Sequence, residues 1–72
     1  MRPNRYQIRK ARQIVAVLIL AAAASDTPFA MLPRLIARAD EAQWRGIAFQ
    51  AGCPVPDAGT NAATIAILEG LL

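Results

Sequence analysis

The sequence lacks histidine and has one cysteine among its 72 residues. Without an imidazole, a serine or cysteine nucleophile has no ordinary general base, and a common zinc ligand is missing. One cysteine cannot form a disulfide within the chain. There is no glycine-rich phosphate loop, and the adjacent acids Asp40 and Glu41 would point about 100° apart on a helix. We therefore predict that the chain is not an enzyme and holds neither a metal nor a cofactor.

Long apolar runs are also missing, because the longest, from Ile14 to Ala24, has eleven residues. As a helix it would rise about 16 Å, roughly half of a bilayer's hydrocarbon core, so it is too short to cross a membrane. A basic start before a short apolar run is also typical of a secretory signal peptide. Cleavage after Ala24 would leave 48 residues without a disulfide or a metal, which is too few for a stable core. We favour a core helix in a cytoplasmic protein, and an exported protein with a leader is the alternative.

Alanine is abundant, with sixteen residues, and 56% of the chain is apolar. Alanine is the best helix former, and runs of β-branched residues are scarce. The sequence therefore predicts one all-α domain over residues 1–72, a small bundle of four to five short helices. So large an apolar fraction should leave apolar surface for a partner to cover.

The first helix should begin near Asn4 or Tyr6 and run to about Ala24. From Ile14 onward it is apolar all round, so we expect its second half to be the buried central element. The residues that share its inner face by their 3-4 spacing are Ile8, Ala11, Val15, Leu18 and Ala22.

The next segment is divided by two prolines. Thr27 is expected to cap a short helical turn that has Pro28 at its first position. Because Pro33 disfavours helical geometry at Leu32, a separate helix should run from Pro33 to Ala39.

The spacing of Asp40 and Gln43 predicts a capping box at the start of another helix. Gly52 should end that helix, and residues 53–59 form a loop in which Cys53 is a small, partly buried residue. We interpret Trp44 as a core residue. The apolar stripe of this helix is Trp44, Ile47, Ala48 and Ala51.

A last helix should begin near Thr60 or Asn61 and end by Glu69, with Gly70 beyond its end. Two apolar groups are expected on it. One face carries Ile65, Leu68 and Leu72, and another carries Ile67 and Leu71.

Charge is distributed unevenly, because residues 1–13 form a basic N-terminal segment of charge +5 and the remainder sums to −2. A helix would align Arg5, Arg9 and Arg12 on one face, where they repel each other by about 0.2–0.5 kcal/mol per pair. Local stability does not favour this arrangement, so we predict an anionic partner, either an acidic protein surface or nucleic acid. A solvated face that only keeps the small protein soluble is the alternative. The predicted partner-binding residues are Arg2, Arg5, Arg9, Lys10, Arg12, Ile67 and Leu71.

A helix-turn-helix is a weaker interpretation of residues 47–61. The loop between the two helices is long for such a turn, and the last helix has no arginine or lysine to read bases. Asn61 and Thr64 alone would have to do so. In the alternative interpretation of the chain as a small DNA- or RNA-binding protein, the basic segment is therefore the expected contact.

The basic opening MRPNRYQIRKARQ, the alanine-rich helical body and the lack of catalytic residues resemble the phage host-takeover proteins. Among these, the chain is similar to the small RNA polymerase-binding regulator of a lytic Xanthomonas phage. The resemblance covers length, composition and the basic opening, and it transfers no functional residue. It implies a cytoplasmic helical module that docks near the N-terminus of the polymerase β′ subunit and the β flap, inhibits initiation and promotes read-through of terminators.

Overall fold

Four α-helices and one short 3-10 helix form the described part of this small bundle. The computed structural model describes residues 2–71, so Met1 and Leu72 lie outside the described residues. Within that range there is no β-strand, and the predicted all-α class is confirmed. The elements are α1 (Arg5–Ala24), a 3-10 helix (Phe29–Met31), α2 (Leu32–Ala37), α3 (Glu41–Ala51) and α4 (Ala58–Gly70).

Helix α1 is the centre of the bundle. It packs against α4 and α3, while α2 packs against α4. Trp44 is 6% exposed, which confirms it as a core residue. None of the helices in the described part of the chain is long and apolar enough to cross a membrane. The core cluster consists of Ile14, Val15, Leu18, Ala22, Leu32, Ile36, Trp44 and Leu68.

Hydrogen bonds set both ends of α1 where the sequence predicts them. The Asn4 side chain accepts from the Gln7 backbone N–H at 2.8 Å, and the Gln7 side chain accepts from the Asn4 N–H at 2.9 Å. At the other end, Asp26 takes a left-handed conformation (φ 55), and the Thr27 N–H donates to the Ala22 carbonyl at 2.9 Å. Both ends therefore satisfy backbone groups that a helix leaves unpaired.

The second half of α1 is the central element of the bundle, as expected, but it is buried on one side only. Leu20 is 71% exposed and Ile19 is 37% exposed. Only α3 and α4 pack closely on α1, and together they cover its inner face. A bundle of this size has no further helix to cover the outer face. The buried residues of α1 are Ala11, Ile14, Val15, Leu18 and Ala22.

Thr27 does not cap the next helical segment, contrary to the expectation. Its backbone N–H completes the end of α1, and its hydroxyl lies 2.9 Å from the Ser25 hydroxyl. The 3-10 helix begins at Phe29, after Pro28 in an extended conformation. Thr27 therefore belongs to the end of one helix rather than to the start of another.

Pro33 does not keep Leu32 out of the helix, so the predicted 33–39 helix is also wrong in its bounds. Leu32 is helical (φ −57, ψ −46), and α2 ends at Ala37. Leu32 is 5% exposed in the core, and burying a leucine contributes about 1.5–3 kcal/mol. We attribute the helical geometry to this burial, which outweighs the local steric preference.

Helix α3 has the predicted capping box. The Asp40 carboxylate accepts from the Gln43 N–H at 2.8 Å, and the Gln43 side chain accepts from the Asp40 N–H at 2.9 Å. Gly52 ends the helix in the left-handed conformation (φ 69) that glycine adopts without strain. Trp44 and Ala48 are buried on the predicted stripe.

Helix α4 begins at Ala58, two residues before the predicted start. The Asp57 carboxylate caps it by accepting from the Thr60 N–H at 2.8 Å. At its other end the helix includes Gly70, and Leu68 is fully buried.

Candidate interaction surface

Three arginines lie on the outer face of α1 and form what we call the arginine stripe: Arg5, Arg9 and Arg12. All three are exposed. Together with Ile8 they line a shallow depression of about 340 Å³. The helix spacing expected from the sequence therefore produces a continuous cationic surface with a half-buried aliphatic side chain at its edge.

No carboxylate of the described chain neutralises the stripe. Within residues 2–71 the one ion pair is on α3, where Arg45 contacts Glu41 at 2.6 Å. The first turn of α1 has no acidic residue, so Arg5 adds to the positive end of the helix dipole. The stripe thus combines mutual repulsion with an unfavourable dipole interaction, and a bound anion would relieve both.

The other two predicted cations lie apart from the stripe. Lys10 is half-buried, and its ammonium lies 5.4 Å from the centroid of the exposed Tyr6 ring, within the range of a cation–π contact. Arg2 lines a different groove, of about 510 Å³, between the start of α1 and the alanines of α4. The structure therefore brings three of the five N-terminal cations into one surface.

The two predicted apolar contact residues differ in their surroundings. Ile67 is half-buried and packs against the core. Leu71 is 59% exposed just beyond the end of α4. Leu71 therefore presents more surface to a partner than Ile67 does.

A polar contact that the sequence analysis missed holds the start of α1 against the start of α4. The Gln7 amide N–H group lies 3.3 Å from each Asp57 carboxylate oxygen. A Cβ added to Gly59 would lie 2.3 Å from the Gln7 amide nitrogen, so a larger residue there would push the Gln7 amide out of this position. The signal in the sequence was the Asp57 and Thr60 spacing, which is that of a helix cap. The Gln7–Asp57 contact links the basic end of α1 to the start of α4.

This contact has an electrostatic consequence for Asp57. The backbone N–H of Thr60, then the Thr60 hydroxyl and the Gln7 amide, lower the pKa of the Asp57 carboxyl below its ordinary value of 3.8. All these donors favour the charged carboxylate over the neutral acid. Asp57 therefore stays ionised as the pH falls towards that value.

Helix α4 is a core helix, which contradicts its use for reading DNA. Thr64 is fully buried, and its hydroxyl donates to the Thr60 carbonyl at 2.8 Å. The amide oxygen of Asn61 is buried and makes no hydrogen bond within the described residues. Thr64 therefore cannot reach a base, and Asn61 is half-buried with its amide oxygen turned away from solvent.

The remaining chemistry-bearing residue is Cys53, which is half-buried and packs against the core. Across residues 2–71, histidine, cysteine and acidic side chains form no group of three that could hold a metal ion. No protein-family model, curated protein or solved structure matches the chain. The arginine stripe is therefore the candidate site on which a function can be proposed.

Proposed function

We propose that the chain is a non-enzymatic binding protein that uses the arginine stripe to dock on an anionic surface of a large protein assembly. The observation that carries this proposal is the exposure of Arg5, Arg9 and Arg12 on one helix face without a carboxylate partner in residues 2–71. Folding gains nothing from that arrangement, because the charges repel each other and oppose the helix dipole. Arginine is also enriched at the energetic centres of protein interfaces.

In its specific form, the proposed partner is bacterial RNA polymerase, and the proposed effect is inhibition of initiation with read-through of terminators. This choice rests on the resemblance in length, composition and basic opening to the phage regulator. The proposed compartment is accordingly the cytoplasm of the host bacterium. Leu71 would add an apolar contact at the edge of the interface.

Charge reversal tests the proposal with a matched control. The test variant changes Arg5, Arg9 and Arg12 to Glu, and the control changes Arg34, Arg38 and Arg45 to Glu. Both variants alter the net charge equally, and all six arginines are exposed.

Binding to purified RNA polymerase, measured by biolayer interferometry, should be lost in the stripe variant and retained in the control. Far-UV circular dichroism should show both variants folded. Equal weakening by the two variants would refute the stripe, because it would mean that net charge alone attracts the partner. If the unmodified chain does not bind the polymerase, that partner is wrong.

Direct nucleic-acid binding is the second candidate, because phosphates could also neutralise the stripe. Three arginines on duplex DNA would give a slope of about −2.7 for log K against log salt. A titration of labelled duplex with the chain measures this slope. A flat response would remove this candidate and leave the protein partner.

The exported form is the third candidate, and the N-terminus of the mature chain decides it by mass spectrometry. Helix α1 supplies five of the eleven buried hydrophobic residues of the described chain. Removal of residues 1–24 would therefore remove much of the core. We expect residues 5–24 in the mature protein, and an N-terminus at Ser25 would contradict that expectation.

A further inference from the structure

The outer face of α1 continues beyond the arginine stripe as an apolar surface. Ala16, Ile19 and Ala23 are all exposed and follow the stripe along the same face. Together with the three arginines they make six residues, spaced alternately by four and three positions along about 27 Å of the helix. We call them the outer seam: Arg5, Arg9, Arg12, Ala16, Ile19 and Ala23.

This alternating spacing is the one by which helices pack side by side. The inner face of α1 is covered by α3 and α4, whereas all six residues of the outer seam are exposed, with Ile19 at 37%. Small residues such as Ala16 and Ala23 let a second helix approach closely. The geometry of the seam therefore suits a helix better than a flat or irregular surface.

The two halves of the outer seam differ in charge, so a partner that covers both must differ in the same way along its length. The first half has three positive charges, and the second half has no charge and includes Ile19, which is 37% exposed. A nucleic-acid backbone would match the charge of the first half, but it would place charged phosphates against the uncharged second half. A partner with carboxylates at one end and apolar side chains at the other matches both.

The outer seam of a second copy of this chain does not have carboxylates at one end and apolar side chains at the other. Symmetric pairing of two parallel α1 helices would place arginine opposite arginine. Antiparallel pairing would place the charged half of each helix against the apolar half of the other, which would desolvate the arginines without a partner. The occupant is therefore a different molecule.

We propose that the outer seam binds an amphipathic helix of another protein, with carboxylates over its first half and apolar side chains over its second half. The proposal rests on the proposed function, because the same arginines make the charged contact. It adds the class of partner and extends the binding surface to the second half of α1.

Two synthetic helical peptides of about 21 residues serve as probes. Each peptide has six facing positions with the same alternating spacing of four and three residues. In the first peptide, the three N-terminal positions are Glu and the three C-terminal ones are Leu. In the second peptide, this order is reversed. A scrambled peptide of the same composition is the control. Because the unmodified seam offers matched charge and shape, isothermal titration should show binding to one of the ordered peptides and none to the scrambled one.

Variants of the chain separate the two halves of the surface. Ala16→Glu places a negative charge in the middle of the seam, and it should weaken peptide binding at least about tenfold. Ala42→Glu, at an exposed alanine of α3, is the matched control and should bind as the unmodified chain does. Ile19→Ser tests the apolar half without adding charge and should also weaken binding. Circular dichroism verifies that each variant is folded.

The outcomes distinguish this inference from the proposed function. One outcome is that Arg9→Glu abolishes binding to RNA polymerase while Ala16→Glu and Ile19→Ser weaken neither polymerase binding nor peptide binding. That result would refute the outer seam and leave the arginine stripe as the binding surface. If neither ordered peptide binds more tightly than the scrambled one, the helical partner is wrong. Sedimentation that shows dimers lost in Ala16→Glu would identify a second copy as the occupant and would also overturn the inference.

Discussion

The two faces of α1 differ in what determines them. The buried inner face, from Ala11 to Ala22, is apolar, and α3 and α4 cover it. The outer face changes halfway, from Arg5, Arg9 and Arg12 to Ala16 and Ile19, and stays exposed. Packing within the chain explains the apolar residues of the inner face, but it does not explain the three arginines of the outer face.

This difference separates stability from binding within one helix. Changes to the inner face should alter the free energy of unfolding, because they remove core contacts. Changes to the outer face should alter binding and leave the fold intact, since its residues are exposed. Each of the following predictions tests one part of this separation, from the largest expected effect to the smallest.

Ile14→Ala should have the largest effect on stability. Ile14 is fully buried in the core, and truncating such a residue costs about 2–5 kcal/mol. A domain of this size has about 3–5 kcal/mol of stability, so the variant should be largely unfolded. Urea denaturation followed by circular dichroism measures the effect. Leu20→Ala, at a 71% exposed position of the same helix, is the control and should change stability by less than about 0.5 kcal/mol.

Asp57→Asn tests the contact that links the basic end of α1 to the start of α4. Because the pKa of Asp57 is lowered in the folded chain, its ionised form stabilises the fold at neutral pH. That contribution is complete above the ordinary value of 3.8 and is lost as the pH falls through the lower pKa of the folded state.

The variant retains an amide that can cap α4, so it isolates the charge. The thermal midpoint of the unmodified chain should exceed that of Asp57→Asn at pH 6. The two midpoints should converge as the pH is lowered below 3.8. A difference that persists unchanged at low pH would show that the carboxylate charge does not matter.

Two glycines should give smaller effects that differ from each other. A Cβ at Gly46 meets nothing within 4 Å, so Gly46→Ala should stabilise α3 by about 0.5–1 kcal/mol. At Gly59 the Cβ would displace the Gln7 amide from Asp57, so Gly59→Ala should lose most or all of that gain. Differential scanning calorimetry compares the two variants. Equal stabilisation would mean that the Gln7–Asp57 contact contributes nothing.

Local signals predicted much of the fold. The capping box of Asp40 and Gln43, the left-handed Gly52 and both ends of α1 depend on residues within a few positions of each other. The burial of Trp44 follows from the apolar stripe of its own helix. Such features are visible in a sequence because their physical causes are local.

The errors came from tertiary effects. The apolar second half of α1 does not reveal that only one side has neighbours, so the exposure of Leu20 was missed. The helical conformation of Leu32 depends on its burial, which local sterics do not indicate. The contact of Gln7 with Asp57 joins residues 50 positions apart. The arginine stripe was predicted because one helix carries it, whereas the separation of Arg2 and Lys10 from it depends on their surroundings.

The most direct test of the separation between the two faces is the stability of the chain with Arg5, Arg9 and Arg12 all changed to Gln. Glutamine has nearly the helix propensity of arginine, so the substitution chiefly removes charge. Loss of the mutual repulsion and of the unfavourable dipole interaction should raise the unfolding free energy by roughly 0.5–1.5 kcal/mol in urea at low salt. A decrease of about 1 kcal/mol or more would show that the arginines serve the fold, and it would contradict their assignment to binding.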